Sequence, residues 1–145
     1  MVSAVENVKD GKLAIVDAWP RVLLIEDNAG DVVLIKKRMT TFWPKVSVVV
    51  VGRLADAYEA YISNQLDLII LDLNLPDGFG YRSVEEALSF VRNVPVVVLT
   101  GMESKLTMQE AKKHGATEVI VKSRIMHDDF GKVLSGVLTA HTVKS

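Results

Sequence analysis

The chain of 145 residues contains no cysteine. That absence excludes disulfides, thiolate metal sites and thiol nucleophiles as the basis of a function. An excess of charge is also missing, since the formal net charge is -1, which argues against electrostatic binding to nucleic acid or to an anionic membrane. No stretch approaches the length of a membrane span, and the first residues lack the basic start and apolar core of a signal peptide. We therefore expect a cytoplasmic protein with no nucleic-acid or membrane partner.

What the chain does contain is a regular alternation of short β-branched runs with stretches of helical periodicity. Hydrophobic residues make up 49% and charged residues 24%, as in a compact globular domain. The runs predict strands at Val22–Ile25, Val46–Val51, Leu66–Leu71, Val94–Leu99 and Glu118–Val121. Apolar residues at helical spacing follow each run. The fourth helix, expected over 104–114, has few of them and should be loosely held.

Five strands alternating with five helices predict an α/β fold. Right-handed connections and helices on both faces favour a doubly wound (βα)5 sandwich of the flavodoxin-like type, with a five-stranded parallel sheet of order 2-1-3-4-5. We expect this domain to span 21–141. Residues 1–20 would form an extension that is a tail, an added strand or helix, or a dimer contact, and 142–145 would form a C-terminal tail.

Polar residues follow the predicted strands at the end where doubly wound folds bind ligands. They are Glu26 and Asp27 after the first strand, Asp72 after the third, Thr100 after the fourth and Lys122 after the fifth. Three carboxylates placed together need a cation, and oxygen ligands of this kind favour Mg2+. A carboxylate beside Mg2+ can accept a phosphoryl group, while a hydroxyl and an ammonium suit the phosphoryl oxygens.

Four stretches resemble the receiver domain of two-component response regulators: VLLIEDNAGDV, LDLIILDLNLPDGFG, PVVVLTG and GATEVIVKS. The resemblance covers roughly residues 20–140, and the joint occurrence of the stretches in this order is specific. It implies that a histidine kinase or phosphotransfer protein delivers a phosphoryl group to Asp72, with Thr100 and Lys122 contacting that group. It also implies that Mg2+ is held by Asp72, by Asp27 directly, by Glu26 through water, and by the backbone carbonyl of Asn74.

Two positions depart from the family pattern. Val119 stands where many members carry an aromatic residue that swings inward on activation, and a stiff Val cannot make that change. Ser123 follows the lysine where many members have a cis proline, so we expect a trans bond and a differently shaped loop. Both changes concern output, whereas the phosphorylation residues are all present.

Several alternatives remain open. Asp27 could cap the following helix, although Asn28 or Asp31 sits better for that; Asp67 and Asp77 are expected to be structural, at a strand start and in a turn. Because the chain ends soon after the fifth helix, a stand-alone switch or relay acting on an unknown downstream protein is favoured, and a homodimer is left open. The rivals are a phosphate sink, a scaffold, a flavodoxin-type nucleotide binder and an aspartyl-nucleophile phosphatase. The phosphatase is disfavoured because Asn74 replaces its general acid. No independent enzymatic turnover is expected.

Overall fold

A computed structural model describes residues 5–9, 12–16, 19–77, 82–101 and 105–144, with side chains described for 19–77, 82–101 and 105–141. The remaining parts of the predicted extension and of the tail, and residue 104 at the start of the predicted fourth helix, lie outside the described residues. The elements are, in chain order, β1 (Val5–Lys9), β2 (Lys12–Val16), β3 (Arg21–Ile25), α1 (Ala29–Phe42), β4 (Ser47–Val51), α2 (Leu54–Ser63), β5 (Leu68–Asp72), α3 (Arg82–Leu88), β6 (Val96–Thr100), α4 (Lys105–Lys113), β7 (Glu118–Val121), a 3-10 turn (Lys122–Arg124) and α5 (Asp129–Lys144).

The last five strands form one parallel sheet in the order β4-β3-β5-β6-β7. Counted from the first strand of this sheet, that order is 2-1-3-4-5, so the predicted fold is confirmed. The strand order reverses between β3 and β5, which places a crevice at their carboxyl ends. Each of the five strands lies within about two residues of its predicted position, the usual scatter of element boundaries.

Alternation along the buried strands produces two apolar layers, one on each face of the sheet. One layer joins Leu23, Ile69 and Val98 to buried residues of α2, α3 and α4. The other joins Leu24, Ile70 and others of the strands to α1 and α5. Since both faces are covered, the strands read as continuous apolar runs, and polar residues can appear only where the strands end.

The fourth helix is held by little apolar contact, as its composition indicated. Ala111 is the buried residue of α4, while the side chain of Leu106 is 68% exposed. Of the helices that the structure describes, none combines the length and the apolar character needed to cross a membrane.

Both ends of the chain carry further secondary structure. The backbones of β1 and β2 pair antiparallel as a separate two-stranded sheet, with Val5 opposite Val16. Trp19, just before the predicted domain start, packs against the apolar layer formed with α1 and α5. At the other end α5 continues to Lys144, beyond the predicted domain end at residue 141.

Candidate functional site

The carboxylate of Asp72 ends the buried strand β5. All five residues of this strand are buried, and Asp72 itself is only 1% exposed. The backbone N–H of Asn74 donates to Oδ1 of Asp72 at 3.0 Å, so the turn after the strand orients the carboxylate. A buried carboxylate needs compensation by hydrogen bonds or by an opposite charge, and part of that compensation comes from its own loop.

Glu26 and Asp27 follow β3, the strand next to β5. Glu26 is buried and its Oε1 accepts a hydrogen bond from the backbone N–H of Asn28 at 3.1 Å, whereas Asp27 is exposed. Carboxylate oxygens of Glu26, Asp27 and Asp72 all lie within 4.8 Å of one another. Three oxygen donors so close, one of them open to solvent, fit a hard divalent cation that keeps some of its water.

Burial and charge in this crevice perturb two pKa values. Burial, and then the neighbouring carboxyl of Asp72, raise the pKa of Glu26 to about 7, against the opposing effect of Lys122. Burial lowers the pKa of the Lys122 ammonium, but its hydrogen bonds to Asp31 and Glu26 outweigh that penalty and leave the pKa raised. The crevice therefore favours a proton on Glu26 and a positive charge on Lys122.

Lys122 contacts three carboxylates from three different elements. Its Nζ lies 2.8 Å from Oδ2 of Asp31, 2.9 Å from Oε2 of Glu26 and 3.2 Å from Oδ2 of Asp72. Sequence reasoning treated Asp31 only as a candidate helix cap. Its contact with Lys122 joins residues 91 positions apart, and no local pattern indicates it.

The structure places the two remaining predicted residues at the same edge of the sheet. Thr100 is buried and ends β6, directly after Leu99, the register partner of Asp72. Asn74 is exposed two residues beyond Asp72, and its side-chain amide lies near Gly101. All predicted site residues thus lie around the carboxyl ends of β3, β5, β6 and β7.

The polar residues that flank the site have structural roles, as expected, and one of them makes a contact that was not predicted. Asn28 caps α1, since its side chain accepts from the N–H of Asp31 at 2.9 Å. Asp67 accepts from the N–H of Arg21 at 2.8 Å just before β5 begins. Asp77, expected to serve only its own turn, accepts from the backbone N–H groups of Leu54 and Ala55 at 2.9 and 3.0 Å. It therefore caps α2 from another loop.

The structure also shows both departures from the family pattern. The described chain has no cis peptide bond, so Lys122–Ser123 is trans, as predicted, and a 3-10 turn over Lys122–Arg124 follows β7. Val119 is 6% exposed and packs within the layer that contains Ala111 of α4.

A parallel sheet of this order with an acidic crevice at its switch point defines a doubly wound α/β protein with a cluster of carboxylates that could hold a metal ion. Comparison with known proteins identifies the family, because residues 22–129 match the model of the response regulator receiver domain. The chain belongs to this family.

Individual relatives agree with this assignment. The chain is 33% identical over 99 residues to the regulatory protein LuxO of Vibrio cholerae, a match that covers 68% of this chain and 21% of LuxO. It is 28% identical over 105 residues to the chemotaxis protein CheY of Thermotoga maritima, covering 70% of this chain and 84% of CheY. The solved receiver domain of a putative LuxO repressor from Vibrio parahaemolyticus has a TM-score of 0.76 at 24% identity, with 88% of this chain and 95% of that one covered. The chain thus spans about a fifth of the length of the LuxO protein that it matches.

Proposed function

We propose that this receiver domain accepts a phosphoryl group on Asp72 from a histidine kinase or phosphotransfer protein, in a reaction that depends on Mg2+. One observation carries the proposal: the buried carboxylate of Asp72 lies beside two further carboxylates and 3.2 Å from the ammonium of Lys122. An acceptor, a cation site and a fixed positive charge are the parts that phosphoryl transfer requires.

Glu26, Asp27, Asp72 and the backbone carbonyl of Asn74 would hold the metal. Bound there, Mg2+ neutralises negative charge and orients phosphoryl oxygens. The oxygen-only donor set fits this ion, and the exposure of Asp27 leaves room for its remaining waters.

In the transfer step a carboxylate oxygen of Asp72 attacks the phosphorus of the phosphohistidine. The P–N bond breaks, and its electron pair leaves with the ring nitrogen. Because the other ring nitrogen carries a proton, the leaving group is neutral imidazole. Lys122 donates a hydrogen bond to one phosphoryl oxygen and the hydroxyl of Thr100 donates to another, so both stabilise charge where it develops.

The output would be protein–protein contact in the cytoplasm, where histidine kinases use ATP. A relay step or a phosphate sink without conformational output is the alternative, favoured by Val119, which is stiff at its first side-chain dihedral. Aspartyl-nucleophile phosphatase activity is less favoured, because Asn74 offers no carboxylic acid two residues after the acceptor. Independent turnover is therefore not part of the proposal.

The test is incubation with Mg2+ and a small phosphoryl donor, followed by intact-protein mass spectrometry. One phosphate mass should be added, and peptide mapping should place it on Asp72. Asp72→Asn should abolish it, while the matched variant Asp67→Asn, whose carboxylate contacts the backbone of Arg21 outside the crevice, should be labelled normally. Labelling that persists in Asp72→Asn would reject the assignment.

A further inference from the structure

The ammonium of Lys122, with its three N–H donors, lies close to three carboxylates: it donates to Asp31 and Asp72, and its Nζ is 2.9 Å from Oε2 of Glu26. Two of these carboxylates, Glu26 and Asp72, belong to the cluster of oxygens within 4.8 Å of one another, so metal and phosphoryl binding would compete for them. The third, Asp31, belongs to α1 and makes the shortest contact, at 2.8 Å. Asp31 is therefore the carboxylate that can still pair with Lys122 when a metal ion or a phosphoryl group occupies Glu26 and Asp72.

The same helix also holds the backbone that follows Lys122. Two turns after Asp31, Arg38 donates from Nε to the carbonyl of Ile125 at 2.9 Å and from Nη2 to the carbonyl of His127 at 3.2 Å. These carbonyls lie just beyond the 3-10 turn that begins at Lys122. The planar guanidinium fork can satisfy two carbonyls at once, which an amine on a flexible stem does less well.

The turn after β7 lacks the proline that would otherwise restrict it, because Ser123 follows Lys122 in a trans bond. A lysine side chain with four rotatable bonds loses conformational entropy when it is held in one position. The N–H of Ile125 donates to the carbonyl of Lys122 at 3.2 Å and closes the turn, and contacts from α1 at both the ammonium and the backbone add to that restraint.

We propose that Asp31 and Arg38 are positioning residues that hold Lys122 toward the phosphoryl group of Asp72. This inference rests on the proposed function. Asp31 directs the ammonium while leaving N–H donors for phosphoryl oxygens, and Arg38 fixes the turn from which Lys122 extends. Neither residue touches the reacting atoms.

The experiment measures the rate of labelling of the full chain by acetyl phosphate at saturating Mg2+. Asp31→Asn, which removes the charge and keeps the size, should slow labelling on the order of tenfold, as for other residues that orient a site from outside it. Asp31→Glu should recover part of the lost rate, because the carboxylate is restored. The matched control is Asp56→Asn, since Asp56 occupies the first turn of α2 as Asp31 occupies that of α1, but pairs with Arg53.

The role of Arg38 is tested by the same measurement, the rate of labelling by acetyl phosphate. Arg38→Gln should slow labelling several-fold, and Arg38→Lys should restore little, because a single amine cannot span both carbonyls. Lys36→Gln, an exposed position on the same helix, is the control for loss of charge. Thermal melting of every variant shows whether the fold is kept.

The outcomes separate the two proposals. If the wild-type chain is not labelled, the proposed function fails. If it is labelled and Asp31→Asn is labelled at the same rate, the function stands and the positioning role of Asp31 is wrong. A rate in Asp31→Glu as low as in Asp31→Asn would likewise reject a role for the carboxylate.

Discussion

The ammonium nitrogen of Lys122 lies 3.2 Å from Oδ2 of Asp72, so a positive charge already borders the crevice in which we propose a cation. Lys122→Gln removes that charge, and we expect the Kd for Mg2+ to fall on the order of tenfold, since repulsion between nearby like charges is worth more than about 1.4 kcal/mol at protein-like dielectric. Calorimetric titration with Mg2+ measures the Kd of both proteins. Lys112→Gln is the control, because the ion pair of Lys112 with Glu118 lies on the surface. Weaker binding in Lys122→Gln would contradict this account.

The raised pKa of Glu26 predicts a pH dependence of stability when Mg2+ is chelated. The folded chain keeps a proton on Glu26 up to about pH 7, whereas the unfolded chain loses it near 4.5. Folding therefore takes up a proton between these values, and the free energy of unfolding should fall as the pH rises through this window. Urea melts should show a smaller fall in Glu26→Gln than in the wild type. Equal slopes in the two proteins would contradict the prediction.

The contact between Asp77 and the start of α2 predicts a loss of stability on truncation. Asp77→Ala leaves the N–H groups of Leu54 and Ala55 without this acceptor, which should cost about 1 kcal/mol, as for other helix caps. Denaturant melts measure the loss, and Asp77→Asn, which keeps one acceptor oxygen, should lose less.

The same contact has a pH signature. Burial raises the pKa of Asp77, but the N–H groups of Leu54 and Ala55 outweigh this and lower it below its ordinary 3.8. The stabilisation is therefore present above that value and is lost as the pH falls through the folded-state pKa. A difference between wild type and Asp77→Ala that persists unchanged at low pH would contradict the charged contact.

Two glycines should respond to alanine in opposite directions. Gly115 has φ of +111°, and an added Cβ would collide with the side chain of Leu88, so Gly115→Ala should destabilise by about 1 to 3 kcal/mol. Gly136 lies inside α5, and an added Cβ would meet nothing within 4 Å, so Gly136→Ala should stabilise by about 0.5 to 1 kcal/mol. Thermal melting of both variants tests this prediction. A change in Tm of the same sign in both variants would refute it.

The fold and most of the candidate site could be predicted from the sequence, because their signals are local. Runs such as the one ending at Asp72 are apolar on both faces, which indicates a buried parallel strand. The fold topology then brings the residues after each strand to one edge, so the sequence predicts that Glu26, Asp27 and Lys122 lie close together.

Asp31 and Asp77 each make a contact that the sequence did not predict. Each sits in a sequence context that explains it locally, a first helical turn and a Pro-Asp pair, and each makes its main contact elsewhere. Helix periodicity indicates which face of α1 is buried, but not which charged residue at its start will reach the end of β7.

Residue periodicity and strand connectivity were enough to predict the order of strands and helices, the burial of both faces of the sheet and the acidic residues at its edge. The contact of the Lys122 ammonium with Asp31, and that of Arg38 with the backbone after Lys122, became evident only in the folded chain. Those contacts form only if α1 packs against the sheet in a position that brings the donor and acceptor atoms to hydrogen-bond distance. Such distances are set by the packing of many side chains at once, which no short stretch of sequence records.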